Sequence, residues 1–370
     1  MTNTSTFVSL PRVPLVSEQI LKDHNCFFEI DSRFRKAARL LQVLWLKDRN
    51  IEPGVHIRGE GDQAVVMPLH SNLSRDAANR GQNFMNQDIH AFVRRTLVLA
   101  EEGACIDKER LFSNSVSSVP ATFNVFAPLA LDLGLATSVF KILFPNFVDK
   151  VEDITFETAP LGRRQARGLN DGTAFDVAVQ AVDSDGRPVR IFFEIKFTEE
   201  FPSNGARLRP EYEEVSRSCG LFINPDSSIL RTNAIEQYWR EIMLSQLVVD
   251  EGLTERAIFV AIAPRLNRSM QAAFRVFEHE LIDAEHRDED RVSFVALTLE
   301  NLIDTIRAAG ADDLARDLWA RYCDFERVYH VALGEFAVAP PQKADEGTII
   351  SPPLRLSTGR HKAAPRAKRA

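Results

Sequence analysis

Hydrophobic residues recur along this chain at two different periods, and the change of period marks its architecture. Between Arg33 and Arg49, Phe34, Ala37, Ala38, Leu41, Leu44 and Trp45 fall at helical spacing, inside a segment, 17–50, that reads as helical throughout. Pro53, Gly54, Gly59 and Gly61 then break the pattern. A second helix is predicted from Asn86 to Glu102, with Gly103 as its stop signal. Residues 1–110 therefore read as a mostly helical N-terminal region. Phe123 to Phe144 is strongly apolar, with no Gly or Pro between Leu135 and Phe144, and predicts a further helix.

The period then shortens. Val151 to Glu157 reads as a strand, and the turn signal Asn170-Asp171-Gly172 precedes a second strand, Thr173 to Val182. Asp183-Ser184-Asp185-Gly186 has the composition of a hairpin turn, leading into a third strand, Val189 to Phe197. A loop containing Pro202, Gly205 and Pro210 follows, then a helix from Thr232 to Val249 and a short apolar strand, Arg256 to Ala263, ended by Pro264. The order is α-β-β-β-α-β. Beyond it, Met270 to Ala284 reads as helix, Val292 to Leu297 as strand, and two more helices run to about Ala332. This predicts an α/β domain over 111–335.

Composition changes the picture at one end. From Gly347 onward there is no acidic residue and there are six basic ones, so the net charge of −7 combines a +6 tail with a −13 body. With its prolines, the stretch 336–370 reads as a disordered basic tail able to hold DNA or RNA by counterion release, or simply as a solvated terminus. Cys26, Cys105, Cys219 and Cys323 are widely spaced and fit neither a disulfide framework nor a zinc site. No run of about 18 apolar residues occurs, so no membrane-spanning helix is expected. Met1 to Val16 shows no signal-peptide pattern, and the expected location is cytoplasmic.

The candidate chemistry begins with Lys196. Between Val151 and Gln342 the chain has twenty arginines and this single lysine, set in the apolar run Ile191-Phe192-Phe193-Glu194-Ile195-Lys196-Phe197. Lysine is a compact point charge whose pKa responds to burial, which arginine's does not. Strand side chains alternate, so Glu194 and Lys196 share one face. Pairing outward from the Ser184-Asp185 turn brings Asp176 within a residue or two of Glu194. Two close carboxylates repel, and a hard divalent cation relieves them. Mg²⁺ accepts one or two carboxylates plus water and substrate phosphate, and polarises a phosphoryl oxygen. Lys196 could orient the attacking water or stabilise charge on phosphate. A structural Glu-Lys pair on a half-exposed sheet face is the alternative.

Asp176 followed by Glu194-Ile195-Lys196, on strands in the order α-β-β-β-α-β, resembles the PD-(D/E)XK nuclease superfamily over roughly residues 120–265. Asn83-Phe84, Ser117-Ser118-Val119-Pro120 and Phe123-Asn124-Val125-Phe126 carry a fainter similarity to an uncharacterised bacterial branch of it. The resemblance implies a restriction-endonuclease-like core with a mixed central sheet. It implies that Asp176 and Glu194, with the Ile195 carbonyl, hold Mg²⁺ (or Mn²⁺), and that Lys196 is the catalytic lysine. Many members carry another acidic residue on the first core helix, where this chain offers only Asp132. Glu157, at the end of the first strand, is the preferred third carboxylate, although a solvated strand end would look the same. Phe175 stands before Asp176 where the motif has Pro.

Further candidates follow from position. Gln246 falls within the apolar stripe Ile235, Trp239, Ile242, Met243 and needs a partner, either substrate or metal-bound water at the site, or a neighbouring core group. Arg240 lies beside that stripe and could reach phosphate, although an ordinary surface arginine would look the same. Arg163, Arg164 and Arg167, and Arg207 and Arg209, lie in the two loops that could flank the site and hold a nucleic-acid backbone, or are simply solvated. No Gly-x-x-x-x-Gly-Lys loop, His-Glu-x-x-His pair or Gly-x-Ser-x-Gly elbow is present. The expected activity is Mg²⁺-dependent hydrolysis of DNA, with RNA left open, in restriction, phage defence or repair. A homodimer or a partner protein of such a system is compatible with it. The competing reading is a catalytically silent nuclease fold serving as a nucleic-acid-binding or assembly subunit.

Overall fold

In the computed structural model, which describes residues 7, 9–59, 64–104, 106–199, 208–283, 286, 288 and 290–334, the chain opens with α1 (Glu18–Asp23) and α2 (Arg33–Asp48). Ser17 and Ser32 cap them, each side chain accepting from the backbone N–H three residues on. All six apolar positions of the α2 stripe are buried. The glycine- and proline-rich stretch that follows is not simply a break. It forms β1 (Pro53–Arg58), paired antiparallel with β2 (Val65–Leu73). Gly54 is needed there because a Cβ at that position would lie 2.3 Å from the Leu73 carbonyl oxygen. Then come α3 (Arg75–Asn79), α4 (Gln87–Val98), capped by Asn86, and α5 (Lys108–Ser113).

The apolar run 123–144 divides into α6 (Ser118–Leu131) and α7 (Leu133–Leu143), bent by 111°. Asp132 decides this. Its backbone is extended and its carboxylate accepts from Leu135 N–H, so it starts a new helix rather than continuing the old one. No single helix among the described residues is long and apolar enough to cross a membrane.

Five strands form the central sheet: β3 (Lys150–Thr158), β4 (Phe175–Val182), β5 (Pro188–Ile195), β6 (Arg256–Ala263) and β7 (Ser293–Thr298), hydrogen-bonded in that order. The first three run antiparallel; β6 and β7 lie parallel to β5. The sheet is thus mixed, as expected. Between β5 and β6 lie α8 (Pro210–Ser218) and α9 (Glu236–Asp250). Pro210, expected in a loop, occupies the first turn of α8, where its missing N–H costs nothing. After β6 comes α10 (Arg268–Glu278). After β7 three helices rather than two complete the fold: α11 (Leu299–Ala308), α12 (Asp312–Tyr322) and α13 (Phe325–Gly334).

Strand alternation divides the apolar residues into two cores. Val177, Val179, Ile191, Phe193 and Ile195 face one cluster, which also holds Leu41 of α2, Phe126 of α6 and Phe325 of α13. Phe193 packs 5.0 Å from Phe126 and 5.7 Å from Phe140, ring to ring. A fully buried aromatic of this kind contributes about 1.5–3 kcal/mol. Phe192, Phe259, Trp239, Ile242 and Phe274 make the second cluster beneath α9 and α10.

The N-terminal helices are also tied in through buried polar groups. Arg321, wholly buried, donates to the Asn83 carbonyl (2.9 Å) and amide oxygen (2.8 Å). Asn124 donates to Asn83 O and Tyr322 Oη and accepts from Met85 N–H. Asn83 and Asn124 of the fainter sequence similarity therefore work as joints between α6, α12 and the N-terminal region. The basic tail lies outside the described residues.

Candidate active site

The geometry of the site is set by one hairpin. Gly186, at φ +78°, and the Asp183 carboxylate, which accepts from the N–H groups of Asp185 and Arg187, close the β4–β5 turn. Val182 pairs with Pro188 and Val177 with Phe193. Continuing that register by one residue sets Asp176 opposite Glu194. A slip of one residue would have put Asp176 opposite Phe193, on the wrong face. The backbone N–H of Ile195 donates to Asp176 Oδ2 at 2.8 Å, which pins the carboxylate to β5. On the other side Phe156 pairs with Val177 and Thr158 with Phe175, leaving Glu157 level with Asp176. Glu157, Asp176 and Glu194 thus stand in a row across three adjacent strands, about 4.8 Å apart from strand to strand. Glu157 and Asp176 also line a cavity of about 100 Å³ that opens toward α5 and α6 and includes Asp107 and Arg110.

On its own face Glu194 is 4% exposed and engages α9. Lys196 Nζ donates to Glu194 Oε1 at 2.6 Å and to Gln237 Oε1 at 2.8 Å. Gln237 Nε2 donates back to Glu194 Oε1 (2.7 Å) and on to Glu241 Oε1 (2.8 Å). Gln237 and Glu241 are one helical turn apart and project together toward the sheet. Neither was singled out from the sequence. The available signal was a polar pair at i, i+4 in the first turns of a helix that follows a strand, since ligands of open α/β sheets gather at the carboxyl ends of the strands.

Electrostatics make this cluster unlike the rest of the fold. Burial, reinforced by the charge of Glu194, holds the Asp176 carboxyl well above the usual carboxylate range, against the opposing pull of Lys196. Burial likewise raises Glu157, with Arg163 opposing and Glu194 adding to the shift. Burial disfavours the charge on Lys196, but Glu194, Tyr238, Asp176 and Glu241 outweigh it and lift its pKa above the ordinary lysine range. Lys196 is therefore a fixed cation, suited to donating hydrogen bonds rather than to accepting a proton.

Glu241, 2% exposed, is raised well above its ordinary value by burial and by Glu194, and its Oε2 has no hydrogen-bond partner among the described residues. A raised carboxyl adds stability below its unfolded pKa, near 4.3, and that contribution is lost as pH rises through the folded value. Glu241→Gln keeps an acceptor for Gln237 without the buried charge. It is expected to melt higher than wild type at pH 7 and above, by about 2 °C for each kcal/mol gained, with the difference closing toward pH 4. Thermal melts across pH in EDTA measure this, and a pH-independent difference would contradict it.

An ion would have only oxygen donors here, which suits Mg²⁺ or Mn²⁺. No group of three or more His, Cys, Asp or Glu side chains forms a ready-made cage among the described residues. Such ions nevertheless need only one or two carboxylates. The mutual repulsion of Asp176 and Glu194, whose hydrogen bonds to Ile195 N–H and to Lys196 each engage one carboxylate oxygen, fits a divalent cation.

Other candidates are placed elsewhere. Gln246 is fully buried, but nine residues beyond Gln237, about 14 Å along α9. It accepts from Val292 N–H at 2.9 Å and donates to Asp250. It anchors the approach to β7, which corrects its assignment to the site. Asp132 is the α7 cap described above. Arg163 is turned inward, donating to the carbonyls of Glu157 and Gly172, and so shapes the third-carboxylate corner rather than presenting a free cation. Arg240 is held by Glu236, Asp171 and Thr173 Oγ1. Arg167 donates to Leu161 O and Arg209 to Asn170 O, and both remain exposed, as does Arg164. Arg207 lies outside the described residues.

The sequence model of the PD-(D/E)XK nuclease superfamily matches residues 29–324, most of the chain. Nucleases of that superfamily generally use divalent metal ions. No curated protein and no solved structure matches the chain.

Proposed function

The chain belongs to the PD-(D/E)XK nuclease superfamily, and we propose that it hydrolyses phosphodiester bonds of DNA with Mg²⁺ or Mn²⁺. The observation that carries this reading is the meeting of Asp176, Glu194 and Lys196 on one face of the hairpin, with Ile195 N–H fixing Asp176. Asp176 and Glu194 would hold the ion together with the Ile195 carbonyl, with Glu157 beside them. When bound, the ion polarises a phosphoryl oxygen and makes water a stronger nucleophile.

The chain's own groups do the rest. Lys196 has three N–H donors and spends two on Glu194 and Gln237. The third is available to a phosphate oxygen, where a fixed cation favours the charge that develops during hydrolysis. Gln237 keeps Lys196 and Glu194 aligned without adding charge. Arg164, Arg167 and Arg209, exposed on the neighbouring loops, are placed to meet the sugar-phosphate backbone.

Supercoiled plasmid incubated with the wild-type protein is expected to be nicked or linearised with Mg²⁺ or Mn²⁺ and left intact in EDTA. Failure to cut plasmid, linear duplex or single-stranded DNA with either ion would overturn the reading.

A further inference from the structure

A second, larger concavity lies beside the catalytic cavity and has no part in the chemistry above. It is a cleft of about 860 Å³ between the β1–β2 hairpin and the helices α3, α4 and α5. Its two walls differ in character. Val55 and Ile57 of β1 line one side and are 46% and 59% exposed. Arg75, Arg94 and Lys108, one from each helix, line the other. All three are exposed, and none makes a hydrogen bond or ion pair among the described residues. This contrasts with Arg110, Arg163 and Arg240, each of which is paired. One carboxylate, Glu109, also borders the cleft.

We infer that this cleft binds a single strand of DNA, phosphates against Arg75, Arg94 and Lys108 and bases against the Val55–Ile57 wall, and delivers it to the Asp176–Glu194 site. The inference rests on the hydrolytic reading for the choice of ligand. Three points carry it. The first is charge: unpaired cations on an otherwise acidic protein attract a polyanion, and their counterion release favours a phosphate backbone. The second is size. The cleft has the volume of a small-molecule pocket, room for a few nucleotides of one strand. Proteins that hold unpaired strands combine a positively charged groove for the backbone with aromatic side chains for the bases, and Phe112 lines this cleft together with Val55 and Ile57. The third is continuity. α5 borders both concavities: Lys108 faces the cleft, while Asp107 and Arg110 line the cavity that holds Asp176 and Glu157.

The test is fluorescence anisotropy of a labelled oligothymidylate with the full chain in EDTA, where no cleavage interferes. The triple variant Arg75→Ala, Arg94→Ala, Lys108→Ala is expected to bind on the order of tenfold more weakly than wild type. The slope of log affinity against log salt should flatten by roughly 2, about 0.7 for each phosphate no longer neutralised. Arg94→Glu alone should weaken binding further than Arg94→Ala. A control that removes three other exposed cations, Arg12, Lys22 and Arg275, should bind like wild type. Equal binding by wild type and the cleft variant, an equal loss in the control, or a loss seen only with blunt duplex would each overturn the inference. Because binding is read without turnover, the two proposals can fail separately. A wild type that binds through these cations yet cuts nothing sinks only the hydrolytic reading. A wild type that cuts while the cleft variant binds normally sinks only the cleft.

Discussion

Asp176→Asn is expected to abolish cleavage and to stabilise the protein. The two effects have one origin. Asp176 sits level with Glu157 and opposite Glu194, where burial and a like charge oppose its ionised form. Asparagine has nearly the same shape and still offers an oxygen to Ile195 N–H, so the hydrogen bond that pins the residue survives. What disappears is the charge. The wild-type carboxyl, with its raised folded pKa, contributes stability below the unfolded value near 3.9 and loses it as pH rises through the folded one. At neutral pH the variant should gain on the order of 1 kcal/mol, the usual return on relieving a strained functional site. Activity moves the other way. Losing a ligand to a catalytic ion removes several kcal/mol of transition-state stabilisation, a drop of about 10²–10⁴-fold in rate. Initial rates on an oligonucleotide with Mg²⁺ and thermal melts in EDTA give the two readouts. A variant that melts below wild type at pH 7 would show that the carboxylate is not under strain.

Lys196→Ala is expected to lose both activity and stability. Removing a fixed donor aimed at developing charge costs about 10²–10³-fold. The structural cost is separate. The Lys196 and Glu194 side chains are only 16% and 5% exposed, so the alanine variant leaves a buried carboxylate with Gln237 alone for company. Breaking a buried pair in this way costs about 3–5 kcal/mol. Lys196→Arg keeps the charge but replaces a point ammonium with a broad fork, and should recover most of the stability while remaining far less active. Chemical denaturation of the three proteins, alongside their cleavage rates, separates these contributions. Unchanged stability in Lys196→Ala would show that the Lys196–Glu194–Gln237 network does not hold β5 to α9.

The five strands of the central sheet, their order along the chain and the alternation that puts Glu194 and Lys196 on one face were legible in the sequence because they depend on short-range patterns; the β1–β2 pair was not. The β4–β5 pairing was legible too, to within a residue, because a hairpin turn fixes register locally. That last residue mattered: Gly186 and the Asp183 cap set Asp176 opposite Glu194 rather than Phe193. Elsewhere local patterns misled. Pro210 marked a helix start, not a loop, and Gly54 marked a close strand pair, not a plain break. Gln246 had the right helix, residue type and face, but lay at the wrong height. Periodicity reports which side of a helix is buried and says nothing about how far along a sheet each turn sits.

By itself, then, the sequence determined the order α-β-β-β-α-β, the faces of its strands and three of the residues that meet in the site, since each follows from the backbone's own period of two or 3.6. Only the tertiary structure decided that Gln237 and Glu241, not Gln246, close the network around Lys196. It alone levelled Glu157 with Asp176 and set the β1–β2 hairpin across α3, α4 and α5 to form the cationic cleft. Those arrangements join segments far apart in the chain, and they are settled by how separate elements bury their apolar faces against one another.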